Sequence, residues 1–195
     1  MKLDKIVLEN KYVRLEPICY EHKSALCDVI SDGELWKLFV TLVPPLEAID
    51  GFIEQAISAQ AIGDELTFVT IDKISDKVVG STRFMKANFP YQRIEIGYTF
   101  IAETFQRTRV NTEAKYLMLE YAFETLNMNR VEFLTDYLNL KSRNALLRLG
   151  AKEEGVLRNH MVMPNGRIRD SVIFSIIKNE WPGIKQHLNS KRSNE

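Results

Sequence analysis

Between residues 93 and 136 the chain reads strand, helix, strand, and on either side of that unit it folds back in tight turns. A strand–helix–strand crossover places its two strands parallel, whereas short turns force neighbouring strands antiparallel. One chain that does both must build a mixed sheet with helices packed against it. The first strand of the unit, Arg93 to Ile101, alternates cleanly. Ile94, Ile96, Tyr98 and Phe100 share one face, and Glu95, Gly97, Thr99 and Ile101 share the other. The helix, Asn111 to Asn127, carries an apolar stripe of Ala114, Leu117, Met118, Tyr121, Ala122 and Leu126. Arg130 to Asp136 closes the unit as a strand.

The flanking segments fill in the layers. Tyr12 to Ile18 alternates and runs into Pro17, which reads as a strand; Tyr20 to Ile30 follows as a short helix. After Pro44-Pro45, the apolar positions Ile49, Phe52, Ile53, Ala56 and Ile57 predict a helix that ends near Gly63. Thr67 to Asp72 and Val78 to Met85 are β-rich runs joined by a hairpin loop at residues 73–77. Asn139 to Leu149 is a helix stopped by Gly150. Ala151 to Met163 and Ile168 to Ile177 are strands around the turn Pro164-Asn165-Gly166-Arg167. The expected fold is therefore α+β, a three-layer αβα arrangement. Its sheet is mixed and mainly antiparallel, of about seven strands, with helices on both faces. No repeat or low-complexity linker divides the chain, so residues 1–195 are expected to form a single domain. A polar tail is expected from about residue 182, fraying at its end.

Composition narrows the function classes. Lys plus Arg and Asp plus Glu number 26 each, so net charge supplies no attraction for nucleic acid or an anionic membrane. No apolar run approaches the roughly 20 residues of a spanning helix, and the opening residues lack a signal-peptide core. Cys19 and Cys27 read as free thiols of a reducing cytoplasm rather than a redox pair. The three histidines and two cysteines are too scattered for a metal site.

The segment with chemical content is Glu95-Ile96-Gly97-Tyr98-Thr99-Phe100-Ile101 followed by Gln106-Arg107-Thr108-Arg109-Val110-Asn111-Thr112. It is a strand, a short polar loop and the head of a long helix. A helix start offers unpaired N–H groups and the positive end of a dipole, a natural seat for a pyrophosphate. Two loop arginines add charge-assisted donors. A solvated basic loop would look the same.

Tyr12 to Trp181 resembles the GNAT acetyltransferase superfamily, in particular its ribosomal-protein-alanine-acetyltransferase-like (RimJ/RimL-like) branch. Three stretches carry the likeness. They are the Glu95–Tyr98 strand running into the Gln106–Asn111 loop; Asn139-Leu140-Lys141-Ser142-Arg143 leading through Leu149-Gly150-Ala151 to Glu154-Gly155; and Asn165-Gly166-Arg167 through Arg169-Asp170 to Glu180-Trp181. The resemblance implies the GNAT fold, acetyl-CoA as acyl donor and an amine as acceptor. It implies that the loop amides from Gln106 to Thr112 hold the pyrophosphate, and that backbone N–H near Phe100 and Ile101 polarises the thioester carbonyl. The family loop reads Gln/Arg-x-x-Gly-x-Gly/Ala, whereas here Arg109 and Asn111 stand at the glycine positions. If Arg109 takes a positive φ it costs roughly 1–2 kcal/mol, comparable with the roughly 1.5–3 kcal/mol of a charge-assisted bond to phosphate.

By the same resemblance Glu95 matches a general base used by some family members. A structural ion pair with Arg83 or Arg130 would explain the residue equally well. Ser142 matches a serine placed near the departing thiolate, and Asn139 one that contacts the pantetheine arm. From the residues alone, Ser142 is a first-turn serine and Asn139 a helix N-cap. His160 is a further base candidate on its ordinary pKa, with less weight. The expected function is acetyl transfer from acetyl-CoA to a primary amine, either a small molecule or a protein N-terminus. Homodimerisation follows by analogy. The alternative is a non-catalytic acyl-CoA-binding or sensing module, motivated by Arg107, Arg109 and Asn111 in the loop.

Overall fold

The computed structural model describes residues 2–193, and one eight-stranded sheet runs through them. In chain order the strands are β1 (Leu8–Glu9), β2 (Val13–Pro17), β3 (Leu66–Asp72), β4 (Lys77–Asn88), β5 (Arg93–Ile101), β6 (Arg130–Asp136), β7 (Lys152–Val162) and β8 (Ile168–Ile177). Their spatial order is β1-β2-β3-β4-β5-β6-β8-β7. Every neighbouring pair is antiparallel except β5 with β6. The crossover between those two is α3 (Val110–Glu120), as the strand–helix–strand pattern requires. The strand beyond the expected seven is β1, two residues long and too short to leave a periodic signature.

The helices α1 (Lys23–Ser31) and α2 (Ile49–Ile62) cover one face of the sheet. There Leu26, Ile30, Ile53 and Ala56 pack against Val69, Ile71 and Phe100. On the other face α3 and the ends of α4 (Leu140–Leu149) and α5 (Trp181–Ser193) join Phe84, Ile96, Phe133 and Phe174 in the larger core. Gly63 and Gly150 take φ of 79° and 96° just past α2 and α4, the left-handed geometry that ends a helix at little cost for glycine.

Two expectations are corrected. The expected helix Asn111–Asn127 is α-helical only to Glu120; it continues as a π turn over Tyr121–Thr125. The residues from Trp181 onward are a helix rather than a polar tail. Trp181 stacks on Phe123 with ring centroids 5.5 Å apart and donates from Nε1 to Glu124 at 2.7 Å. Leu188 is also buried. Two anchors about two turns apart help dock an otherwise polar helix, and average polarity hides them. The frayed end expected there falls on residues 194–195, outside the described residues.

Two irregularities shape the sheet where function is expected. Between Ser81 and Arg83 on β4, the partner residues on β5 step from Phe100 to Gly97, so β5 carries one extra residue. That bulge puts Tyr98 at φ 46°, and bulges commonly re-aim side chains beside active sites. The parallel pairing of β5 with β6 covers only Arg93–Arg130 to Glu95–Glu132, although β5 runs on to Ile101 and β6 to Asp136. Beyond Glu95 the two strands part.

Candidate active site

The parting of β5 and β6 opens a cleft of about 1990 Å³. That is more than the roughly 300–1,000 Å³ that holds one drug-sized ligand, so the space suits two reactants. Both helices that follow the parted strands begin at its wall. Ala102 N–H donates to Val79 O on β4 at 2.9 Å. Strand alternation then turns the amide of Ile101 the opposite way, towards the cleft, and that of Phe100 back into the ladder. The carbonyl of Ile101 accepts from Gln106 Nε2 at 3.0 Å, which ties the loop to the strand end.

The loop then turns at Arg107, whose φ of 64° lies in the left-handed region, while Arg109 has φ −66°. The expected strain therefore falls two residues earlier than the family's first glycine position suggests. Arg109 is unstrained, and its guanidinium lies over the Tyr12 ring at 4.2 Å, a cation–π contact. Thr108 Oγ1 donates to Phe105 O at 2.7 Å. The first intrahelical bond of α3 runs from Glu113 N to Arg109 O at 2.9 Å, so the amides of Val110, Asn111 and Thr112 lie ahead of it at the cleft wall, that of Val110 donating to Thr108 Oγ1 at 3.4 Å. Asn111 Oδ1 is buried there without a hydrogen-bond partner among the described residues, an acceptor that a donor on an incoming ligand would satisfy.

Across the opening, α4 starts with the cap that its sequence signals. Asn139 Oδ1 accepts from Ser142 N at 3.0 Å, which leaves the Asn139 Nδ2 hydrogens to donate elsewhere. Ser142 Oγ has no partner among the described residues and faces the cleft.

Glu95 is 5% exposed. Its partner is Lys86, Nζ to Oε2 at 2.8 Å, and not Arg83 or Arg130. Arg83 pairs with Glu65 at 2.6 Å, and Arg130 with Glu132 and Glu154. Oε1 of Glu95 lies beside Gly97, where a Cβ would come within 3.4 Å of it. The cleft thus gathers Glu95, Phe100, Ile101, Gln106 to Thr112, Asn139 and Ser142 along one wall-to-wall path, with His160 at its far side.

Three side chains that periodicity did not single out stand in the same cleft. Lys115 is buried, and its Nζ donates to Thr82 Oγ1 at 2.8 Å and Thr99 Oγ1 at 2.7 Å. Burial brings its pKa down to about 7. Asp136, 1% exposed, pairs with Arg167, whose guanidinium also reaches Phe39 O at 2.9 Å. Arg169 is 7% exposed and is held by Nε donating to Ser171 Oγ at 2.9 Å. The signal for Arg169 was its place two residues before Ser171 on β8, which sets both side chains on one face of the strand; Asp136, at the end of β6, left no such signal. Among the described residues no group of three or more His, Cys, Asp or Glu side chains could hold a metal ion. Among the described residues no helix is long and apolar enough to cross a membrane.

Comparison with known proteins agrees with this architecture. Residues 13–152 match the model of the acetyltransferase (GNAT) domain, and the chain belongs to that family. Over 177 residues it is 29% identical to the protein named N-acetyltransferase p20 of Bacillus licheniformis, covering 90% of this chain and 98% of that one. A protein named as a ribosomal N-acetyltransferase, YdaF of Bacillus subtilis (strain 168), is 39% identical over 94 residues, 48% of this chain and 50% of its own. The crystal structure of a GCN5-related N-acetyltransferase from Brucella melitensis superposes with a TM-score of 0.85 at 33% identity, covering 97% of this chain and 86% of that one. The mixed, mainly antiparallel sheet with helices on both faces is the GNAT fold, and the protein is an acetyltransferase enzyme. The likeness to YdaF agrees with the ribosomal-protein branch.

Proposed function

We propose that this enzyme moves an acetyl group from acetyl-CoA to a primary amine by direct attack, both substrates bound at once in the cleft. The observation that carries the reading is the separation of β5 from β6 beyond Glu95, with the heads of α3 and α4 on its two sides. The amides of Val110, Asn111 and Thr112, with Arg107 and Thr108, suit a pyrophosphate at a helix start. Arg109 and Gln106 shape that loop. The Asn139 amide suits the pantetheine arm, and the Ile101 N–H, one residue past Phe100, suits the thioester carbonyl oxygen.

Amine attack needs a neutral nitrogen, so a base must take a proton as the bond forms. We assign that role to Glu95, a reading supported by its burial in the cleft with Oε1 beside Gly97. Ser142 Oγ, which lines the cleft, would give a proton to sulfur as the carbon–sulfur bond breaks. The acceptor by likeness to YdaF is a protein N-terminal amine, with small amines as the wider class. The same reading makes residues 1–195 a single catalytic domain, acting in the cytoplasm, with a homodimer as its assembly.

A second reading, a non-catalytic acyl-CoA sensor, draws on the left-handed arginine at position 107 and the absence of loop glycines. Calorimetric titration with acetyl-CoA, followed by thiol release during incubation with a panel of amines and N-terminal peptides, separates the two. The transferase reading expects saturable binding and amine-dependent thiol release. Binding without release from any acceptor supports the sensor, and no binding sinks both.

A further inference from the structure

The sheet face that α1 and α2 cover stops at β5. Their core cluster contains no residue of β6, β7 or β8. On those three strands the same face carries a polar row instead: Asp136, Arg169, Ser171 and His160 near the cleft, with Glu95 across from them on β5. This face fronts the cleft on the side away from α3, where the acceptor would enter.

Within that row the charges are paired with one exception. Asp136 is matched by Arg167, and Glu95 by Lys86. Arg169 makes no ion pair with any described residue, although only 7% of it is exposed. Asp136 and Glu95 act on it across space without reaching it. Its Nε is fixed to Ser171 Oγ at 2.9 Å. A guanidinium can only donate, so the Ser171 proton is free for His160 Nδ1, 3.0 Å away. That chain holds the plane of the guanidinium and leaves its two terminal nitrogens, which have no partner among the described residues, at the cleft.

A buried charge without a partner is costly, and a preset two-nitrogen edge is the shape that a carboxylate accepts. We propose that Arg169 is the receptor for a carboxylate on the acceptor, so that the enzyme prefers amines carrying one: an amino acid, or a peptide with an acidic group near its amine. The single unmatched positive charge fits a monoanion. A phosphate dianion would bring a second negative charge towards Asp136 and Glu95. An acceptor of this kind would lie with its amine at Glu95 and its carboxylate at Arg169. The inference deepens the acetyl-transfer reading and rests on it for the word acceptor, while the anion site itself can be tested without turnover.

The test uses the whole chain labelled with 15N-arginine, in which the Arg169 Nε–H signal is identified by its loss in Arg169→Gln. Propanoate should shift that signal saturably, and neutral propanamide should not. On every acceptor that releases thiol, the carboxylate-bearing member of a matched pair, such as 4-aminobutyrate against butylamine, should show a kcat/KM at least about tenfold higher. Arg169→Gln should bring that ratio to about one, and Arg169→Lys, which keeps the charge but not the fork, should leave an intermediate ratio. No saturable shift with propanoate, an equal shift with propanamide, or an unchanged ratio in Arg169→Gln overturns the proposal. If propanoate binds while acetyl-CoA does not, the anion site stands and the transferase reading falls. If acetyl-CoA supports turnover without any carboxylate preference, the reverse holds.

Discussion

The two walls of the cleft are built from different materials. The wall at the heads of α3 and α4 offers mainly backbone N–H groups and one capping amide, all consequences of where helices begin. The wall across β5, β6 and β8 offers side chains whose charges are buried: Glu95, Asp136 and Arg169. Backbone donors survive changes of side chain, so the proposed pyrophosphate seat would keep its donors with arginine and asparagine where the family has glycine. Buried charges survive no such change, because Glu95 and Asp136 each depend on an ion-pair partner and Arg169 is held only by Ser171. On the proposed reading the cofactor side is thus tolerant and the acceptor side specific.

The largest effect expected on this contrast is Glu95→Gln. Loss of a positioned base should cost about 10²–10⁴-fold in turnover, while calorimetry finds acetyl-CoA affinity unchanged. Unchanged turnover across the pH range would remove Glu95 from the chemistry and leave it as Lys86's partner.

Next comes Lys115→Met at the cleft floor. Burial holds the Lys115 amine at a pKa of about 7, below the 10.5 of an unfolded lysine. Between those values the unfolded chain binds more protons, so the cost of burying this lysine is full below pH 7 and is relieved as pH rises towards 10.5. The methionine variant should therefore gain a few kcal/mol of stability below pH 7, read by denaturant titration, and the gain should shrink in alkali. A gain independent of pH would mean the folded protein holds the amine differently.

Asn139→Ala should lose about 1 kcal/mol of stability with the cap and raise the KM for acetyl-CoA, because one residue serves both. A stability loss with KM unchanged would confine Asn139 to the helix. Smallest is Arg107→Gly, which should add about 1 kcal/mol by relieving a left-handed arginine and, with one charge-assisted donor gone from an otherwise backbone seat, weaken acetyl-CoA binding by no more than about tenfold. A larger loss of affinity would show the cofactor wall to depend on that side chain after all and blur the contrast.

Periodicity located β2 to β8, the crossover and four of the five helices, because alternation and three-four spacing are local properties of the chain. It missed α5, whose docking rests on a few apolar residues, Trp181, Ile184 and Leu188, in an otherwise polar sequence, and β1, which is two residues long. Asn139 as a cap was equally legible, since a cap acts within its own turn. The partner of Glu95 was not. Lys86, Arg83 and Arg130 are all cations within reach of such a sheet on paper, and only the bulges and registers of β4 and β5 decide which arrives.

What the sequence determined by itself is the order and type of elements and the presence of a loop and helix head fit for a pyrophosphate. Which residue of that loop turns left-handed, how far β5 and β6 stay paired, and which buried charge is left without a partner were decided by tertiary structure. The reason is physical: backbone periodicity is written within a few residues, whereas charge pairing depends on side chains tens of residues apart that meet only when the sheet is assembled.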